Sequence, residues 1–525
     1  MFSVITARLI LFTALLISAV TAVHAAPGCA HTHACSYESL DLAVDNFGIS
    51  FGNSSRFKGL RINMVDEYVE SVDGVNITLW KPKENPDAVL RGISFGLYGP
   101  KGDELHFISL GLISVEAGSL ISGISVGGLA TVSEGDNLGI TIGGLSTITE
   151  DTMSGISVGG LANVIGGGMS GISFGGLANV VSGRMSGLAC GGLANVAGGG
   201  MIGIHLGGLA NVIDGGLEGI TVGGLANVVE GDMLGIAAGG IANVCDGRLQ
   251  GITAGGLANV CGGYAQGITL GGIANVCGGG SRGITLGGLA NVVEGDVLGI
   301  AAGGIANVCE GNLHGITAGG LANVCEGNLN GITVGGIANV CEDNSGGVIV
   351  GGLANISGGS TTGINISGLV CLSEGGMSGI SLSGGALIAE RGLSGINAGG
   401  IGMVSFDDSG ISFHGIEAER VEWLTLHGID IDAEYDIRGF AASGISARAE
   451  HITGFACASA LVKADDLNGF SIGAVNYYEG IQVGLTIGIL NYAEQLKGVQ
   501  LGLINIAKNN SAPFKVLPVV NAHFD

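Results

Sequence analysis

Four residues near the N-terminus have types and spacing that suit metal chemistry: Cys29, His31, His33 and Cys35, in the run Cys-Ala-His-Thr-His-Ala-Cys. Thiolate and imidazole are common zinc ligands, and alternate spacing puts all four on one face of an extended segment. The run supports a zinc or copper site, or a single Cys29–Cys35 disulfide closing a small loop. The disulfide is preferred, because the segment sits in a flexible N-terminal stretch, and no cofactor is expected. Six further cysteines share one register: Cys245, Cys261, Cys277, Cys309, Cys325 and Cys341, with Val293 interrupting them. Val and Ile fill the same position elsewhere, so a small buried hydrophobe is the simpler reading. Stacked disulfides are the alternative, although a run of three leaves one cysteine unpaired. His205 and His314 are isolated, and no Ser-His-Asp or paired-carboxylate arrangement follows from spacing. A β-helix polysaccharide lyase would need catalytic groups that the spacing does not identify, so no enzyme is expected.

The elements that carry these residues follow from a period. Glycines open units at 123, 139, 155 and every 16 residues to 395, giving eighteen units of the form G-I-x-Φ-G-G-L-A-N-V-x-x-G-x-x-x, with Φ apolar. A unit of this length is too short for a helical repeat, and its glycine content would ruin a helix. Alternating residues suit a short strand, and the glycine pairs suit corners and turns. One unit cannot offset its own ordering entropy, so the units must stack as a solenoid. The absence of proline between Pro100 and Pro513 fits an unbroken ladder. The expected fold is therefore an all-β, elongated β-solenoid of 16-residue glycine-rich coils with degenerate capping coils. Aliphatic columns are expected inside, with Ser, Thr and acidic turns outside.

Within that frame two columns stand out. Asn fills the ninth position of thirteen successive units: Asn163, Asn179, Asn195, Asn211, Asn227, Asn243, Asn259, Asn275, Asn291, Asn307, Asn323, Asn339 and Asn355. At ladder spacing these amides can bond their neighbours above and below, which predicts a buried structural column. The third position is rich in Thr (Thr221, Thr253, Thr269, Thr285, Thr317, Thr333), but His205, Ala237 and Ala301 break it. Solvent exposure and β-propensity account for that column better than ice binding, which needs regular, flat Thr arrays. Acidic residues in the turns, among them Glu230, Asp232, Asp246, Glu294, Asp296, Glu310 and Glu326, read as a solvated edge. The nonapeptide calcium signature is absent.

Charge and address narrow the function. Net charge is −25, and from Gly123 to Gly410 the only Lys or Arg residues are Arg184, Arg248, Arg282 and Arg391. That excludes the clustered basic face nucleic-acid binding requires. Arg8 precedes an apolar run from Leu9 to Val20, and Val23 and Ala25 fit the −3 and −1 positions of a cleaved signal peptide. The expected organisation is a signal peptide at 1–25, a Cys/His-containing linker at 26–45, degenerate repeats at 46–122, eighteen repeats at 123–409, and degenerate repeats with a cap at 410–525.

Near the C-terminus, Gly480-Ile-Gln-Val-Gly-Leu leads to Leu490-Asn491-Tyr-Ala, and Gly498-Val-Gln-Leu-Gly-Leu-Ile-Asn505-Ile-Ala precedes Leu517-Pro-Val-Val-Asn521-Ala-His-Phe524. This stretch of roughly 60 residues resembles the G-L-x-x-G-L-x-N bacterial surface-repeat family known from leptospiral surface proteins. The resemblance implies export and surface display, but no particular activity. The favoured function is an exported structural or adhesive scaffold with a cell-envelope or extracellular partner. An outer-membrane β-barrel, one strand and one turn per unit, is the main alternative, opposed by a lack of aromatic girdles. An ice- or carbohydrate-binding solenoid is a further one.

Overall fold

The computed structural model describes residues 39–524, apart from 401, 413–415 and 428–429. Among the described residues there is no helix, and the chain winds into a β-solenoid of about 26 turns.

Each array coil contributes two strands. In the coil opened by Gly251, the short strand is Ala258–Cys261, and the long strand Leu249–Gly255 runs into it through the Gly-Gly corner. Each strand pairs in parallel with the same residues one period on: Ile252 with Ile268, Asn259 with Asn275. Neighbours that are parallel and sixteen residues apart define stacked coils. The barrel alternative needs antiparallel neighbours, and the pairing excludes it.

The first-position glycine is what makes this path available. All eighteen have φ between 97° and 126°, a region closed to residues with a Cβ. A Cβ on Gly251 would lie 2.1 Å from the carbonyl oxygen of Gly235. This backbone also interrupts the in–out alternation. Along Leu249–Gly255, Leu249, Thr253 and Gly255 are buried, so the inward step across the glycine is four residues instead of two.

The column continues upstream through Gly48, Gly59, Gly74 and Gly92, whose strands pair in series despite unequal spacing. Phe107 then stands where a glycine is otherwise found, pairing with Gly92 and Gly123 at φ 81°. Its ring is 63% exposed, so little packing offsets that strain. Phe107→Gly should therefore raise the unfolding free energy by about 1 kcal/mol. A thermal midpoint that falls would contradict the strain argument.

The N-terminal coils hold a buried ion pair. The Arg61 guanidinium lies 2.5 Å from Asp66 and donates to Asn76 Oδ1 at 2.8 Å. Burial raises the Asp66 carboxyl, but the Arg61 charge and hydrogen bonds from Thr78, Asn63 and Arg61 outweigh it and hold the pKa below the usual value. Downstream the period shortens to 15 residues through Gly439, Gly454, Gly469 and Gly484, a new regular spacing where irregularity was expected. There Phe440, Phe455 and Phe470 stack with centroids 4.7 and 5.3 Å apart, and Tyr477 stacks on Tyr492 at 4.6 Å.

Antiparallel strands finish both ends. Ser39–Val44 pairs with Phe47–Gly52, and Val516–His523 covers the last part of Val475–Ala507. Covering the terminal ladders blunts the open edges at which parallel stacks would otherwise grow.

Candidate binding surface

Inside the array the columns are the third, ninth, eleventh and fifteenth positions. In one coil these are Thr253, Asn259, Cys261 and Ala265, each 1–3% exposed. The interior is thus half polar, and the asparagines satisfy it. Asn163 Nδ2 donates to Asn179 Oδ1 at 2.8 Å, and the same bond repeats at 2.7–2.9 Å through every step to Asn355. From Asn211 onward the same amide nitrogen also donates to a carbonyl eleven residues on, as Asn259 does to Leu270 O at 2.7 Å. All the amides point the same way, so their dipoles add along the axis. Thr147 donates to Asn163 at one end, and Asn355 donates to Asn365 Oδ1 and Ile366 O at the other. The C-terminal coils repeat the device, Asn476 to Asn491 and Asn491 to Asn505, each at 2.7 Å.

Of two expectations about sidedness, one is overturned and the other holds in part. The third-position column is buried, Thr221 at 0% and Thr253 at 3%, so no Thr array faces solvent. Threonine hydroxyls serve the interior instead: Thr221 Oγ1 donates to Asn227 Oδ1 at 3.1 Å. The aliphatics are divided: those of the eleventh and fifteenth positions, such as Ile213 and Leu249, line the interior as expected, and those of the second and seventh do not. Second-position Ile252 is 43% exposed, and the seventh-position Leu or Ile is 42–53% exposed in all sixteen coils from Leu129 to Leu369.

The cysteines of the eleventh position are buried and free. Cys245 donates to Gly247 O at 3.4 Å and Cys309 to Gly311 O at 3.2 Å. Desolvation pushes the Cys245 thiol up to about 12, which leaves it inert as a nucleophile.

Most of the array's charge lies on one edge, the turn at positions twelve to fourteen, while Glu218 and Arg282 stand at position sixteen on the long strand. Positions one to eleven of the eighteen units contain no Asp, Glu, Lys or Arg; every such residue falls in positions twelve to sixteen. On that edge the fourteenth position forms a ladder not anticipated from sequence. Asp296 Oδ1 accepts from the Asn312 backbone N–H at 2.8 Å, Asn312 Oδ1 from Asn328 at 2.8 Å, and Asn328 Oδ1 from Asn344 at 3.2 Å. Asp232 likewise accepts from the Arg248 N–H at 2.8 Å and forms an ion pair with its guanidinium at 2.7 Å.

Opposite the charged edge, a groove of about 1130 Å³ runs along the Gly-Gly corner from Val222 to Gly336, and a second of about 800 Å³ extends it back to Val158. Fourth-position side chains such as Ala254 and Leu270 form its wall, and the two glycines its floor.

His205 occupies the third position between Ala189 and Thr221, fully buried, with neither ring nitrogen in a hydrogen bond of normal geometry. Burial pushes its pKa down to about 4, offset only in part by the Ile202 backbone. Between pH 6.5 and about 4 the unfolded chain takes up a proton that the folded chain refuses. Stability therefore falls as pH falls through that window, by about 3 kcal/mol in full. His205→Ala should remove this loss, which denaturant unfolding at pH 7 and pH 4 would measure. An equal acid sensitivity in the two proteins would refute the assignment.

His106 links Ser122 and Glu104, with Nδ1 2.7 Å from Ser122 Oγ and Nε2 2.8 Å from Glu104 Oε2. Sequence reasoning missed this chain; His106 and Ser122 stand one period apart upstream of the array. A hydrolytic triad also needs oxyanion donors in a water-excluding site. Here the three side chains lie part-exposed along paired strands whose backbone N–H groups belong to the ladder.

Cys29, His31, His33 and Cys35 lie outside the described residues, as does the 1–25 segment. Among the described residues, no group of three or more His, Cys, Asp or Glu side chains is arranged to hold a metal ion. In comparisons with known proteins, no family model, no curated protein and no solved structure matches this chain.

Proposed function

We propose that this chain is an exported scaffold, displayed at a cell surface or released, that acts by contact along its length and not by catalysis. The observation that carries the reading is the outward face of the array. Eighteen coils present aliphatic side chains there and carry no charge at positions one to eleven. Backbone geometry demands glycine at the corners, while Ile252 at position two and Leu257 at position seven stay 43% and 46% exposed even inside the stack. Contiguous exposed apolar surface of this extent marks an interaction site. The sparse basic residues oppose a phosphate-rich partner. Export is supported by the Leu9–Val20 run and Ala25, and by the C-terminal resemblance to surface-repeat proteins.

The test is fractionation of the producing cell. The mature chain should begin at Ala26 and be cut by protease added to intact cells, and its deletion should reduce attachment to a protein-coated surface. Retention in the cytosol with Met1 intact would overturn export. A serine-reactive fluorophosphonate should leave Ser122 unlabelled; labelling there would overturn the non-catalytic half of the proposal.

A further inference from the structure

We infer that the charge-free face pairs with the same face of a second copy, two solenoids lying side by side and parallel. The inference is independent of export and adds a partner to the contact surface described above.

Three observations select a second copy. The first is pitch. Every coil sets the same residues one ladder step apart, about 4.8 Å, so the face is corrugated at that repeat over the whole array. Only a surface with the same repeat can follow it coil by coil, and a second copy has it by construction. The second is charge. A chain of net charge −25 repels its own kind unless the contact is free of charge, and positions one to eleven are. The third is area. The sixteen seventh-position side chains, each 42–53% exposed, offer on the order of 1,000 Å², against roughly 800 Å² per partner in a standard interface.

Shape then fixes the orientation. The groove is floored by the fifth- and sixth-position glycines, and Leu257 and its equivalents directly follow that floor and stand outward. Ridge and groove therefore run side by side along the rod. A two-fold axis along the rod brings the ridge of each copy opposite the groove of the other, a self-complementary contact. A two-fold across the rod would set ridge against ridge. Small fourth-position residues widen the receiving groove in two stretches, Ala238 and Ala254 on one side of Leu270 and Leu286, and Ala302 and Ala318 on the other.

The full-length chain with a C-terminal histidine tag should sediment as a dimer in aqueous buffer. Under electron microscopy, nickel–gold labels should mark the same end of both rods. The triple variant Leu257→Glu, Ile273→Glu, Leu289→Glu should sediment as a monomer with an unchanged thermal midpoint. The pair Gln250→Glu, Gln266→Glu, outside the groove and its ridge, should remain dimeric. A monomeric native chain would overturn the proposal, as would one that floats with phosphatidylcholine vesicles as a monomer. So would a triple variant that stays dimeric. Labels at opposite ends would overturn the parallel arrangement. If the triple variant unfolds, Leu257→Ser with Leu289→Ser decides the matter by weakening dimerisation at least tenfold or leaving it unchanged.

Discussion

Asn259→Asp should cost about 3–5 kcal/mol of stability at pH 7, the range for an uncompensated buried charge. Asn259 is 1% exposed and donates twice from one nitrogen, to Asn275 Oδ1 at 2.9 Å and to Leu270 O at 2.7 Å. A carboxylate turns both donations into oxygen facing oxygen and leaves two buried acceptors unpaired. On the other side, the carboxylate still accepts from Asn243, so the damage is directional. The new group's folded pKa must be raised, so its cost is complete above that raised value and shrinks as pH falls toward the unfolded value near 4, where acid restores a donor. Urea unfolding at pH 7 and pH 4 measures both terms. An unchanged midpoint at pH 7 would mean that the column faces solvent.

Deleting residues 251–266 should leave a folded protein one coil shorter, whereas deleting 251–258 should break the stack. The first deletion removes one whole period, so Asn243 meets Asn275 as it met Asn259, and Gly235 meets Gly267. The second leaves half a coil: a short strand falls where a long one is needed, and the positive-φ glycine loses its place above Gly235. Because each coil contacts its neighbours alone, stability is close to a sum of coil and interface terms. Loss of one coil is a modest change, and loss of register severs the ladder. Circular dichroism and limited proteolysis distinguish the two. A 16-residue deletion that cannot fold would remove the modular picture.

Much of the fold was legible because the backbone demands glycine at repeated places. Gly251 and its equivalents are imposed by φ near +119° and by a carbonyl in the next coil, so the period survives every change of side chain. Asn259 was legible for a similar reason, since few other side chains can both donate and accept at ladder spacing. The sense of the strands was not. Ile252 and Ala254 face out while Thr253 faces in, and both sets suit a strand, so hydrophobicity misassigned these three positions. The reset of alternation at Gly251 has no compositional trace beyond the glycine itself. The fourteenth-position ladder left a signal that went unread: Asp296, Asn312, Asn328 and Asn344, each one period apart.

Small-angle scattering of residues 26–525 reads the length of the coil stack itself. About 26 coils at a ladder step of about 4.8 Å predict a longest dimension of roughly 120 Å. That dimension holds whether the rods are single or paired side by side, and the protein should be recovered from aqueous buffer. A compact particle obtained only from detergent-solubilised membranes would mean that the coils do not stack into a rod.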